Sequence, residues 1–486
     1  MRAKKQGVKI GLEVHCQLTN LETKLFCGCP SDYRGAGPNS HVCPVCFGLP
    51  GALPVLNAEA VKDAVMVALA LSSKIPRKTI FFRKNYYYPD MSKNFQISQY
   101  DKAGGIPIAI GGSLKIGIDH KQKRIGITRM QLEEDPAKLV HLGTIKTSPY
   151  TLVDYNRSGI ALLEIVTEPD LKSPAESRVF LKKLRSILEH LGVSNGELEG
   201  AMRCDANISL RGGGRVEIKN ISSFKEVERA LRFEIMRQTS KTERGGKVET
   251  ETRHWDEARR VTMSLRTKET EEEYRYFPEP DLVPVTISQD YIERCKSALP
   301  ELPDVRAKRF VEEYKLPIYD AGVLTSEKAL ADFFENCVRI YHDPKKISNW
   351  IMGDLLRRLH EEDVEVQESK ITPENLVKML KLEDEGIISG KIAKKVLLLM
   401  VKTGDTPARI VEKEGLQRIF SEEILEEKVE KVFELNPKAV KDAIRDEKAA
   451  HFLVGELMKL TNGKADPQLA NKIVKRKLRK TSKKNT

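Results

Sequence analysis

Glu13 and His15 sit two residues apart in Gly11-Leu-Glu-Val-His15, and a carboxylate beside an imidazole is a donor pair suited to a divalent ion. Acids recur in Met130-Gln-Leu-Glu-Glu-Asp135. They recur again in Leu162-Leu-Glu-Ile-Val-Thr-Glu168, where Glu164 and Glu168 interrupt an apolar run. Burying a lone carboxylate in such a run is costly unless it is paired or metal-bound. Arg203, Asp205, Asn207, Ser209 and Arg211 alternate with Cys204, Ala206, Ile208 and Leu210, and Glu217 and Lys219 repeat the theme. Carboxylates mixed with Arg, Lys and Asn on one sheet face fit Mg²⁺ held by acids and phosphates held by cations. A solvated antiparallel face would also be charged. Asp and Asn are depleted in ordinary strands, however, which favours function. Phe82-Arg-Lys-Asn-Tyr-Tyr-Tyr-Pro-Asp90 adds cations beside hydroxyls and stacking faces.

Four of the eight cysteines cluster as Cys27-x-Cys29 and Cys43-Pro-Val-Cys46, joined by a loop with Gly35, Gly37 and Pro38. Two close thiolate pairs can converge on one tetrahedral Zn²⁺, and a closed four-sulfur site is a structural staple. The first pair is C-x-C where C-x₂-C is commoner. Cys16, Cys204, Cys295 and Cys337 are isolated, as buried small hydrophobes are. The sequence contains neither G-x-x-x-x-G-K-[ST] nor a G-x-G-x-x-G opening a helix after a strand. Gly212-Gly-Gly214 reads as a hairpin turn, so a nucleotide is expected on the sheet itself.

These groups need strands to carry them. Val8, Ile10, Leu12, Val14, Cys16 and Leu18 alternate, which puts Glu13, His15 and Gln17 on the other face. Ser173-Pro-Ala-Glu176 combines an N-cap, a first-position Pro and a capping-box Glu. The stripe Phe180, Leu184, Ile187, Leu188, Leu191 follows, and Gly192 stops the helix. Beyond Leu299-Pro-Glu-Leu-Pro303 only helices are expected, opened at Thr372-Pro, Asp405-Thr-Pro, Asn436-Pro and Asp466-Pro. The fold class is α+β: a mainly antiparallel sheet domain over 1–290, a helical domain over 291–403 and a helical tail over 404–486.

The 486 residues are 40% hydrophobic and 31% charged, which excludes collagen, mucin-like stalks and wholesale disorder. The longest apolar run, Ala64 to Leu71, is far short of the roughly 20 residues of a membrane helix. With no signal peptide at its start, the chain is expected to be soluble and cytoplasmic. The net charge is +12, and eight of the cations lie between Lys472 and Thr486 without an acid among them. Such a tail can follow a phosphate backbone, or simply be solvated.

Taken together, several segments resemble the GatB family, the B subunits of aspartyl/glutamyl-tRNA amidotransferases. They are Gly11–His15, Cys43-Pro-Val-Cys-Phe-Gly-Leu-Pro-Gly-Ala-Leu-Pro-Val-Leu-Asn57, Arg83-Lys-Asn-Tyr-Tyr-Tyr-Pro-Asp90, Gln96-Ile-Ser-Gln-Tyr100, Leu132-Glu-Glu-Asp135, Leu152-Val-Asp-Tyr-Asn-Arg157, Leu163–Asp170, Arg203–Asn207, Glu217-Ile-Lys-Asn220, Tyr274-Arg-Tyr-Phe-Pro-Glu-Pro-Asp281 and Asn349-Trp350. The resemblance implies a cradle domain related to the glutamine synthetase fold, followed by helical and tail domains that contact tRNA. It implies ATP-dependent phosphorylation of the side-chain carboxylate of Glu on tRNA(Gln) or Asp on tRNA(Asn). Ammonia then displaces the phosphate. It is tunnelled from a glutaminase partner, the family's A subunit, with the small C subunit clasping the pair in a heterotrimer.

By position, Glu13, His15, Glu134 and Glu164 resemble the Mg²⁺ ligands, with Glu133 an extra; strand parity does not choose between Glu133 and Glu134. Arg83, Lys84 and Asn85 resemble phosphate or gate residues, Lys84 being grouped with the catalytic set. Arg203, Asp205, Asn207, Glu217 and Lys219 would complete the ATP site. Pro136 stands where many relatives have Ala, and Cys16 where Val is more usual. The competing readings are a non-catalytic tRNA-binding scaffold and a ligase for a free amino acid.

Overall fold

In the computed structural model the described residues are 7–86, 93–118, 121–141, 148–196, 198, 200–219, 221–266, 271–417, 422–445, 449–461 and 464–484. They form two compact units, Met1–Val305 and Arg306–Thr486.

The first unit is built on a nine-stranded sheet. In chain order its strands are β1 (Lys9–Gln17), β2 (Ala109–Ile110), β3 (Ser113–Ile118), β4 (Lys121–Glu134), β5 (Ala161–Thr167), β6 (Met202–Ser209), β7 (Val216–Lys219), β8 (Glu251–Asp256) and β9 (Val261–Arg266). Across the sheet the order is β9-β8-β7-β6-β1-β5-β4-β2, with β3 also on β4. Every pair is antiparallel except β7 with β8. The expected α+β class with a mainly antiparallel sheet is what forms.

Alternation decides which face is buried. Val8, Ile10, Leu12, Val14 and Cys16 join Cys204, Ala206, Ile208, Leu163, Ile165, Met130 and Leu132 in one core. Among the helices that cover that core are α1 (Ala58–Ala70), α2 (Pro174–Leu191) and α3 (Phe224–Glu243). In α2 the Ser173 hydroxyl accepts the Glu176 N–H, and Gly192 closes the helix at φ 73°. The turn between β6 and β7 holds the glycine cluster. A Cβ on Gly214 would lie 2.6 Å from the Glu249 and Thr250 backbone, so only glycine lets β8 come alongside β7.

Strand β4 carries a bulge. Val166 pairs with Arg129 and Thr167 with Ile127, so Thr128 is an extra residue. Before it, Ile125 and Ile127 face the core. After it, the core positions are Met130 and Leu132. The bulge therefore turns Arg129, Gln131 and Glu133 onto the polar face.

Helix α1 buries Asp63, whose carboxylate accepts the Asn20 amide at 2.9 Å. Burial raises its pKa to about 6; the Asn20 hydrogen bond opposes this, Glu59 adds to it and Lys62 works against it. A carboxyl with a raised folded pKa destabilises the fold once ionised, so stability rises as pH falls from above 6 toward 4. Asp63→Asn keeps the acceptor oxygen and loses the charge. It is expected to stabilise the chain by about 1–3 kcal/mol at pH 8, with the gain vanishing near pH 4. Urea unfolding at the two pH values checks this.

The second unit contains helices and, among the described residues, no strand. Helices begin at Pro373, Pro407, Pro437 and Pro467, as the capping motifs predict. One core runs from Phe310 to Leu416 and another from Leu425 to Leu478. The basic tail is helical over Pro467–Lys484. Part of its charge is matched: Arg476 pairs with Glu422 at 2.8 Å and with Glu426, and Lys477 pairs with Glu430. No helix among the described residues is long and apolar enough to cross a membrane.

Candidate active site

Strand β1 lies at the middle of the charged face. His15 is opposite Glu164 on β5 and Arg203 on β6, while Glu13 is opposite Asp205. His15 Nε2 lies 3.4 Å from Glu133 Oε1 and 3.8 Å from Glu164 Oε1. Burial, followed by the nearby Glu133 charge, pushes the Glu164 carboxyl up to about 7, against the pull of His15. Glu133 also accepts the Ser98 hydroxyl at 3.1 Å.

A second group lies beside the first. Oxygens of Glu13, Asp205 and Glu217 all come within 4.8 Å of one another. Lys219 Nζ is 2.9 Å from Asp205 and 3.0 Å from Glu217. Burial opposes the Lys219 ammonium, but these two acids outweigh it and hold its pKa well above the ordinary range. Asn207 donates to Glu13 at 2.8 Å, and its Oδ1 is buried without a hydrogen-bond partner. Three carboxylates against one lysine, with an unmatched amide oxygen alongside, form an oxygen-only set of the kind hard cations take.

The structure separates Glu134 from this company. Glu133 is opposite Leu162 and Glu134 opposite Ala161, so the two acids point to opposite sides of β4. Glu134 is fully enclosed. Its Oε1 lies 2.5 Å from Lys93 Nζ and accepts the Ile97 N–H at 3.0 Å. Of the two candidates, Glu133 is the one beside His15, and Glu134 lies on the other side of the strand beside Lys93, by the parity that the bulge sets.

A small sheet of Phe82–Asn85, Phe95–Ser98 and Phe277–Pro278 supplies Lys84. Its ammonium sits 4.6 Å from the Tyr274 ring centre and 5.3 Å from that of Tyr86. Burial works against that charge, but Tyr86, Tyr276, Tyr274 and Glu133 together hold the Lys84 pKa well above the usual range. Its neighbours are differently employed. Arg83 makes two 2.7 Å hydrogen bonds to Glu279, and Asn85 donates to the Tyr274 and Arg275 carbonyls. Both brace the small sheet. Arg203 donates to Asp135 at 2.7 Å, which Arg157 also contacts at 2.8 Å. Tyr87, Tyr88, Pro89, Asp90 and Asn220 lie outside the described residues.

The four clustered cysteines meet. Cys46 Sγ is 3.4 Å from Cys27 and 3.7 Å from both Cys29 and Cys43. Sulfurs about 2.3 Å from a tetrahedral ion stand about 3.8 Å apart, so the cluster has the spacing that one structural metal ion needs.

Two family models match this chain: a GatB/GatE catalytic domain over residues 8–293 and a GatB domain over 332–478. The chain is 54% identical to the B subunit of the aspartyl/glutamyl-tRNA(Asn/Gln) amidotransferase of Sulfurisphaera tokodaii, covering 96% of this chain and 99% of that protein. It is 52% identical to the protein of the same name from Thermotoga maritima, covering 96% and 98%. The chain belongs to the GatB family. GatB proteins are the B subunits of ligase-type tRNA amidotransferases.

Some residues around this GatB site escape sequence reasoning. Ser98 and Gln96 could have been found from their alternation in Phe95–Ser98. Lys93 and Lys24 could not, because a single lysine in a polar loop carries no signal of the partner it meets.

Proposed function

We propose that this GatB chain activates the side-chain carboxylate of misacylated Glu-tRNA(Gln), Asp-tRNA(Asn) or both by ATP-dependent phosphorylation, and then completes the amidation with ammonia. The observation that carries this reading is the convergence of His15, Glu133 and Glu164 beside Glu13, Asp205 and Glu217 on one sheet face. The partners are the glutaminase A subunit, which is the source of tunnelled ammonia, the small C subunit, and tRNA, met in the cytoplasm. The proposed domains are the cradle over 1–290, the helical domain over 291–403 and the tRNA-contacting tail over 404–486.

In this reading Glu13, His15, Glu133, Glu164, Asp205 and Glu217 are the donors for Mg²⁺, and Asn207 offers its unmatched oxygen. Bound Mg²⁺ would neutralise charge on the transferring phosphoryl oxygens. Lys219 and Arg203 orient phosphate oxygens from the β6–β7 side. Lys84, roofed by Tyr86 and Tyr274, supplies a fixed cation above Glu133 and keeps water out of that corner. The substrate carboxylate attacks the γ-phosphorus, ADP leaves, and ammonia then forms the C–N bond as the C–O bond to phosphate breaks. Arg83 and Asn85 hold the small sheet, and Glu134 holds Lys93. The four cysteines hold Zn²⁺ as a structural centre.

The test is amidation by the reconstituted three-subunit enzyme with misacylated tRNA, ATP and Gln. Glu164→Gln is expected to lower both amidated product and tRNA-dependent phosphate release by about 10²-fold, with tRNA affinity unchanged. A mere scaffold would show normal rates in this variant, and that result would overturn the reading.

A further inference from the structure

We propose that Lys24 is the outer-sphere partner of the four-cysteine centre, and that through it metal occupancy is coupled to the Asp154–Ser158 segment at the end of the charged face. This rests on the reading of that centre as a metal site. Lys24 is 0% exposed. Its ammonium has three N–H donors, and the structure gives each a partner: Cys46 Sγ at 3.3 Å, the His41 carbonyl at 2.8 Å and the Tyr155 carbonyl at 3.2 Å. Among the described residues no carboxylate forms an ion pair with it.

A buried ammonium needs a nearby negative charge. Here the nearest source is the sulfur set, since four thiolates around Zn²⁺ carry a net charge of −2. Lys24 offsets part of that charge and donates to one sulfur, as groups around metal ligands generally do. Metal and lysine thus support each other.

The same lysine reaches the catalytic unit. The loop between the two cysteine pairs is stitched to 154–158. Asn39 N–H donates to Asp154 at 3.0 Å, His41 N–H to the Asn156 side chain at 2.8 Å, and Asn156 to the Gly37 carbonyl at 2.7 Å. Ser158 donates to the Cys46 carbonyl at 2.8 Å. Within this segment Arg157 reaches Asp135, which also receives Arg203. Lys24 bonds the cysteine side and the Tyr155 side at once. Loss of the ion is therefore expected to loosen the support of Arg157, and with it one end of the charged face.

The experiment uses the full-length chain loaded with zinc. Wild type, Lys24→Met and Lys24→Gln are compared for zinc transfer to a colorimetric chelator, and for hydrogen exchange across residues 154–160. Lys24→Met is expected to release zinc about 10–100-fold faster and to lose exchange protection over that stretch. Lys24→Gln, which keeps an N–H donor but not the charge, should fall between. Stripping zinc from wild type should produce the same exchange change, and this arm decides the matter if Lys24→Met does not fold. Release within twofold of wild type, or unchanged protection in the stripped protein, overturns the proposal. A wild-type chain that takes up no zinc overturns the metal reading, and the coupling with it.

Discussion

Glu133→Gln is expected to slow ATP-dependent amidation by about 10²–10³-fold in the reconstituted enzyme, while the stability of the chain changes by no more than about 1 kcal/mol. The side chain lies 3.4 Å from His15 and accepts the Ser98 hydroxyl. Gln occupies the same volume and still accepts that hydrogen bond, so packing survives. What disappears is a negative charge placed where the proposed phosphate chemistry needs a cation held. Single-turnover measurement with saturating ATP separates this from weakened binding, because the loss should persist at saturation. Amidation at the wild-type rate would remove Glu133 from the catalytic set and return the question to its neighbour.

Glu134→Gln is expected to act on folding. The wild-type carboxylate sits 2.5 Å from a lysine that is itself buried, and also receives the Ile97 N–H. Burial pushes the Glu134 carboxyl up, and Lys93 with the Ile97 N–H pulls the other way. Removing the charge strands the Lys93 ammonium, a defect that costs about 3–5 kcal/mol in buried pairs. Guanidinium unfolding should register the loss, and Lys93→Met in the same chain should restore much of it by removing the stranded partner. Unchanged stability in the single variant would show that the pair contributes nothing.

The contrast between these adjacent acids marks where sequence reasoning ended. The apolar alternation in Val8–Leu18 and Arg203–Arg211 was enough to place Glu13, His15, Asp205 and Asn207 on one face, since both strands run without interruption. The helix at Ser173 and the glycine hairpin were equally legible, being local. Strand β4 was not, because the extra residue at Thr128 breaks the count between the apolar positions and the acids. Arg83 looked like a phosphate or gate residue by type. That Arg83 is absorbed by Glu279, 196 positions away in the chain, follows only from the fold. The Lys93–Glu134 and Lys24–Cys46 pairs were hidden for the same reason.

The bulge also sets which edits this strand can tolerate. Between Thr128 and Glu133 every position is locked into a half-turn alternation, so one residue gained or lost there would trade Glu133 for a neighbour and disarm the proposed site without disturbing the fold class. On the far side of Thr128, toward the tip shared with Ser113–Ile118, paired additions lengthen both arms together and leave the acids where they are. Length variation among relatives should therefore collect at that tip and stop short of Thr128.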